Sequence, residues 1–244
     1  PLSPTMNSRR DFYEQLAPQR VRETARHYHT LLNRHFAFLI PPGQRVLEIG
    51  CGLGDTLAAV KPAHGVGVDF SPAMVELAKA RHPQLEFRVA DALDFSSAEP
   101  FDYIILSDLV NDLPDVQRVL QNLHALAHPK TRLVLNFFNN LWKPILGAAV
   151  SLGEKAPTLR QNWLSSGDMR NLLHLAGWEV VKKDTRITLP LDIPLVAPLL
   201  NRWLGPLLPD LSLAVFMVAR PRPAVPPAPP YPCSVVIPAP TEAG

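Results

Sequence analysis

A short β-rich run that leads straight into three closely spaced glycines constrains this chain more than any other feature. Val46–Leu57 reads VLEIGCGLGDTL: an apolar strand, then Gly50, Gly52 and Gly54, then apolar residues at a spacing that suggests a helix. The alternation continues downstream, with strand candidates at Arg45–Ile49, Gly65–Asp69, Leu85–Val89, Asp102–Leu106 and Arg132–Phe137. Between them, SPAMVELAKARH starts with a Ser71 cap and Pro72 at the first helical position, and Val116, Val119, Leu120, Leu123 and Leu126 recur at helical spacing. Strands alternating with helices predict an α/β fold, a mostly parallel sheet covered on both faces. A loop between a parallel strand and the next helix lies at the carboxyl edge of such a sheet, where open α/β folds bind ligands.

Composition excludes several function classes. The 24 basic and 22 acidic residues give a formal charge of +2 and lie without long runs, so no electrostatic footprint for nucleic acid is expected. Cys51 and Cys233 are far apart in sequence, which suggests neither a disulfide framework nor a metal cluster and fits a reducing cytosol. No signal pattern opens the chain, and no uninterrupted apolar run approaches the roughly 20 residues of a spanning helix.

Proline marks the boundaries. Residues 1–40 are expected to be an N-terminal helical cap, one or two helices over residues 8–39 broken near Pro18, ahead of an α/β domain over residues 41–220. SSGDMRNLLHLAGWEVVKK reads as a capped helix with Leu172, Leu173 and Ala176 inward, stopped by Gly177 and followed by a strand. Leu213–Ala219 reads as the last strand. Residues 221–232, PRPAVPPAPPYP, are expected to form an extended linker, and residues 233–244, CSVVIPAPTEAG, the start of something cut away.

Two carboxylates follow the glycine loop at telling places. Asp69 ends the second strand, where it can accept from two ribose hydroxyls, and Asp91 follows the third strand in VADALDF, placed to accept from an adenine amino group. The glycines are spaced Gly-x-Gly-x-Gly rather than Gly-x-Gly-x-x-Gly, and Glu48 puts a carboxylate two residues before the loop. A pyrophosphate would be repelled by that charge, whereas a cofactor with a sulfonium and an ammonium would tolerate it.

With Glu48, the three glycines, Asp69 and Asp91 in register, the chain resembles the class I S-adenosylmethionine-dependent methyltransferases over about residues 10–220. The resemblance implies a Rossmann-like seven-stranded sheet, mostly parallel with its last strand antiparallel, and S-adenosylmethionine across the tips of the first strands. Carried over to this sequence, it implies that Gly50, Gly52 and Gly54 contact the methionine end and ribose. Asp69 would take the ribose hydroxyls, Phe70 and Met74 would flank the adenine, Asp91 and Ala92 would meet its edge, and Ser107 would line the methionine side. Glu48 would act through water or through the loop.

Many small-molecule members carry His or Glu-His after the fourth strand; here SDLVNDLP offers Asn111-Asp112 instead. The catalytic candidates are therefore Asp108, which could face the methyl group or serve as a loop hydrogen-bonder, and Tyr13, His27, Tyr28 and His29 of the cap. Two apolar, proline-broken segments, NFFNNLWKPILGAAVSLG and ITLPLDIPLVAPLLNRWLGPLLPDL, are expected to form an acceptor channel, a peripheral membrane contact, or extra core or dimer packing. CSVVIPAPTEAG resembles the opening of a family 2 glycosyltransferase, and residues 10–220 the methyltransferase half of bacterial bifunctional proteins that fuse the two. The resemblance implies a cytosolic, possibly membrane-peripheral O-methyltransferase with a small or lipid-linked glycan-type acceptor and a covalently fused glycosyltransferase partner. The alternatives are a cofactor-binding scaffold for that partner and, less favoured, an NAD-dependent oxidoreductase.

Overall fold

The computed structural model describes residues 26–144, 147, 162–187 and 212–223. Seven strands form one sheet: β1 (Arg45–Ile49), β2 (His64–Asp69), β3 (Glu86–Val89), β4 (Phe101–Leu106), β5 (Ala127–Phe138), β6 (Trp178–Arg186) and β7 (Ala214–Pro221). Their order is β3-β2-β1-β4-β5-β7-β6. The pairings from β3 through β5 are parallel, and β7 alone runs antiparallel, against β5 on one side and β6 on the other. The strand order reverses between β1 and β4, the place at which open α/β sheets bind ligands beyond the carboxyl ends of the strands.

Side chains of alternate parity divide the core into two layers. Leu47 and Ile49 of β1, Ile104 and Leu106 of β4 and Leu133 and Leu135 of β5 face α4 (Val116–Ala125) and α5 (Ser166–Leu175), which contribute Val119, Leu120, Leu123, Met169 and Leu173. Val46, Ile105, Val134 and Phe216 face α1 (Arg26–Leu39), α2 (Asp55–Ala59) and α3 (Pro72–Arg81). Helix α1 presents Tyr28, Leu32, Phe36 and Ile40 at fourfold spacing, one buried stripe.

The helix starts have identifiable causes. Ser71 accepts from Met74 N ahead of Pro72, Asp115 accepts from Arg118 N, and Ser165 with Asp168 makes a reciprocal capping box. Trp178, fully buried, donates its indole N–H to the Leu120 carbonyl at 2.9 Å, which fixes α4 over the sheet edge.

Several boundaries differ from the sequence expectation. β5 begins at Ala127 rather than Arg132, because Ala127 pairs with Phe101 across an irregularity that absorbs the polar AHPKT stretch. Met169, not singled out by the sequence pattern, is fully buried on α5, while Leu172 is half-buried. The last strand includes Pro221, the first residue of the expected linker. Pro221 sits opposite Trp178 at the strand's end, where the ladder needs no further N–H from it, and Arg222 N donates to the Gly177 carbonyl at 2.8 Å. Residues 1–25 of the cap, with Tyr13, residues 224–232 of the linker, residues 233–244, residues 145–146 and 148–153 of the first apolar segment and residues 188–211 of the second lie outside the described residues. No helix among the described residues is long and apolar enough to cross a membrane.

Gly67, in the middle of β2, is where the glycine loop and β3 come closest. A Cβ there would stand 2.5 Å from the Phe87 ring and 3.0 Å from Cys51 Sγ. Gly67→Ala is expected to destabilise the chain by about 1–3 kcal/mol through overpacking. Urea unfolding would measure it, and Phe87→Leu in the same background should recover part of the loss.

Candidate functional site

The loop after β1 is held open by its glycines. Gly50, Gly52 and Gly54 have φ of 70°, 51° and 76°, the left-handed region that side chains disfavour. Their surroundings separate their roles. A Cβ on Gly50 would come within 2.7 Å of Leu109 Cδ1, and one on Gly54 within 2.6 Å of Phe87 Cζ, so these two glycines allow close packing. At Gly52 nothing lies within 4 Å of that position: its bare backbone faces open space.

Asp69, 8% exposed at the tip of β2, reaches across to this loop. Its Oδ2 accepts from Gly52 N at 2.9 Å and its Oδ1 from Ser71 N at 3.0 Å. The same carboxylate thus shapes the loop and starts α3. Asp91, half-buried after β3, accepts from Leu93 N at 2.8 Å in a local turn, and Ala92 packs beside it against the core. Phe70 is half-buried, but Met74 is only 2% exposed and belongs to the interior. Of the two residues expected beside an adenine, Phe70 alone retains surface to offer.

Glu48 corrects one argument drawn from the sequence. It is 1% exposed, and Oε2 accepts from Leu57 N at 3.0 Å. Burial, with lesser contributions from Asp55 and Asp69, pushes its carboxyl up to about 8. That shift favours the neutral carboxyl, which weakens the argument from its charge against a pyrophosphate. The disfavour survives for other reasons. Helix α2 is five residues long, one of its free N–H groups is taken by Glu48, and Asp55 stands in its first turn.

Beside this loop, Ser107, half-buried, and Asp108 follow β4. Asp108 adopts φ 52°. The Tyr28 hydroxyl donates to Asp108 Oδ1 at 2.8 Å, the Asn136 amide donates to the same oxygen, and Asn136 Oδ1 accepts from Asp108 N at 3.0 Å. Asp108 is thus a hydrogen-bonded loop residue, and Tyr28 joins it across 80 residues of sequence. Burial and the neighbouring Asp108 charge raise the Tyr28 phenol well above its ordinary value. His27 and His29 are half-buried on α1, with the His29 ring edge-on to Tyr28 at 5.4 Å.

Sequence reasoning did not single out Asn136, whose signal is one amide inside the apolar run LVLNFF. Nor did it find the work of Asn111. That residue is fully buried, accepts from Phe138 N at 3.1 Å, and exchanges two 2.7 Å bonds with the backbone of Asn162. Where many small-molecule methyltransferases carry a base, this chain has a structural amide. A third amide, Asn33 of α1, accepts from Thr56 Oγ1 at 2.9 Å and ties the cap helix to α2.

A separate open cavity of about 490 Å³ beside the start of β1 is lined by Arg45, Arg88, Ser96, Ser97 and Glu99. Arg45 pairs with Glu99 and Arg88 with Glu86, so its charges are locally balanced.

Residues 19–183 match the family model described as "Methyltransferase domain". Trans-aconitate 2-methyltransferase of Methylobacterium radiotolerans is 34% identical over 102 residues, 40% of this chain and 39% of that protein. The ubiquinone biosynthesis O-methyltransferase of Coxiella burnetii is 31% identical over 112 residues, 43% of this chain and 47% of that one. The chain thus matches less than half the length of these two relatives. Among solved structures, a SAM-dependent methyltransferase of Thermotoga maritima superposes with a TM-score of 0.68 at 17% identity, covering 85% of this chain and 97% of that one. The DhpI complex with S-adenosylhomocysteine gives 0.62 at 16% identity, covering 89% and 97%. At these identities the likeness bears on the fold.

Proposed function

The chain belongs to the methyltransferase domain family, and on that premise we propose that it binds S-adenosylmethionine across the tips of β1, β2 and β3 and methylates an oxygen of a small or lipid-linked glycan-type acceptor. The observation that carries the cofactor reading is the open backbone of Gly52 at positive φ, with Asp69 hydrogen-bonded to it and Asp91 at the next strand tip. In this reading Gly52 admits the cofactor's backbone-side approach, and Gly50 and Gly54 hold the loop around it. Asp69 accepts from ribose hydroxyls, Asp91 and Ala92 meet the adenine edge, Phe70 covers its face, and Ser107 lines the methionine side. Glu48 works from below, fixing α2 through Leu57 N.

When bound, the cofactor supplies an electrophilic methyl group on a cationic sulfur. The chain's task is to align the acceptor and exclude water. Asp108 is placed to take the proton of an acceptor hydroxyl, with Tyr28 and Asn136 fixing its carboxylate. The glycan-type acceptor and a fused glycosyltransferase partner are supported by the apolar segments and by residues 233–244 of the sequence.

Calorimetric titration with S-adenosylmethionine, S-adenosylhomocysteine and NAD tests the cofactor reading. Micromolar binding of the first two with no NAD binding is expected; tighter binding of NAD would reject it. Transfer of label from S-adenosylmethionine into an envelope lipid extract, lost on protein removal, would test the acceptor.

A further inference from the structure

We propose that Asp108, positioned by Tyr28 and Asn136, is the group by which the site distinguishes a cationic sulfonium from a neutral thioether, raising affinity for S-adenosylmethionine relative to S-adenosylhomocysteine. The inference rests on the cofactor reading above. β1 and β4 are parallel neighbours with Ile49 opposite Leu106, so the segments that follow, Gly50–Gly54 and Ser107–Leu109, leave adjacent strand ends in the same direction. They also touch, since Leu109 fills the space beside Gly50. A charge on the second segment therefore stands beside the loop that approaches the cofactor.

That charge is fixed in place. A non-glycine residue at φ 52° persists where its surroundings hold it there. Asn136, fully buried on β5, grips both the N–H and the carboxylate of Asp108, and Tyr28 donates to the same carboxylate oxygen from α1. Two donors thus converge on one carboxylate oxygen. The phenol that helps hold it remains a donor across the physiological range, because burial raises its ionisation well above the ordinary value. In a partly buried setting a fixed charge acts more strongly than in water. Once the sulfur has lost its methyl group and its charge, that attraction disappears, and the spent cofactor is held less tightly.

The test is titration of the full chain with each cofactor form at one pH, with Asp108→Asn and Tyr28→Phe alongside the wild type. Asp108→Asn keeps the side chain's shape and removes its charge, and should weaken S-adenosylmethionine about tenfold while changing S-adenosylhomocysteine less than about twofold. Tyr28→Phe, which removes one positioning bond, should lower the ratio of the two affinities about threefold with the thioether again little changed. A merely structural role would weaken both ligands together and leave the ratio as in the wild type, which overturns the proposal. If Asp108→Asn does not fold, the ratio in Tyr28→Phe decides alone. A wild type that binds neither ligand would remove the cofactor reading itself, and this proposal with it.

Discussion

Replacing Glu48 by Gln is expected to remove a large pH dependence of folding. The carboxyl has an ordinary value of 4.5 and is pushed up to about 8 by burial, so the folded chain binds this proton more tightly than the unfolded chain. Its stabilising effect is full below pH 4.5 and is lost progressively as the pH rises to about 8. The loss is on the order of 5 kcal/mol, a large share of the roughly 5–15 kcal/mol that holds a typical domain. Gln can still accept from Leu57 N and does not titrate. The variant should therefore be the more stable protein at pH 8.5 and show little slope over this window. His35 acts oppositely: burial lowers it to about 4, so its contribution falls away as the pH drops from 6.5. Urea midpoints of wild type and variant, subtracted at each pH, cancel that background. Parallel profiles for the two proteins would show that Glu48 is ionised in the folded chain at neutral pH.

The second large effect is expected at Asp69. Asp69→Ala leaves Gly52 N and Ser71 N without their acceptor and removes the carboxylate assigned to the ribose. Folding should be weakened by about 2–3 kcal/mol, and S-adenosylhomocysteine affinity by about ten- to hundredfold, as charge-assisted hydrogen bonds are lost. Asp69→Asn separates the two, since one side-chain oxygen can still accept from the loop. Stability should return only in part, because one of Gly52 N and Ser71 N regains an acceptor while the amide NH2 faces the other, and ligand affinity should stay low. Titration at a temperature where both variants are folded reads the affinity, and an Asp69→Ala affinity equal to wild type would refute the assignment.

The elements that carry the cofactor loop were legible because they are local. VLEIGCGLG announces a strand and a tight turn, and Ser71-Pro72 announces the helix that follows, from chemistry confined to a few residues. What escaped depends on partners distant in sequence. Nothing around Asn136 says that its amide will meet Asp108, 28 residues away, and nothing around Asn33 points to Thr56. Glu48 was legible as a residue but not as a protonation state, which depends on how many elements cover it. Gly54 and Gly52 look alike in the sequence, yet one faces Phe87 and the other open space.

Asn111 has a consequence for how such a protein can change. The chain leaves the sheet at Phe138 and is picked up again at Asn162, and both points are bonded to this one residue. The two points are thereby held side by side next to the end of β4, whatever length of chain separates them. Closing a longer loop adds only about 0.6 kcal/mol for each doubling of its length. The length of chain between Phe138 and Asn162 can therefore change with little effect on β4, β5 or the glycine loop. In the proposed reading, the scaffold would separate the part that handles the donor from the part free to diversify toward new acceptors.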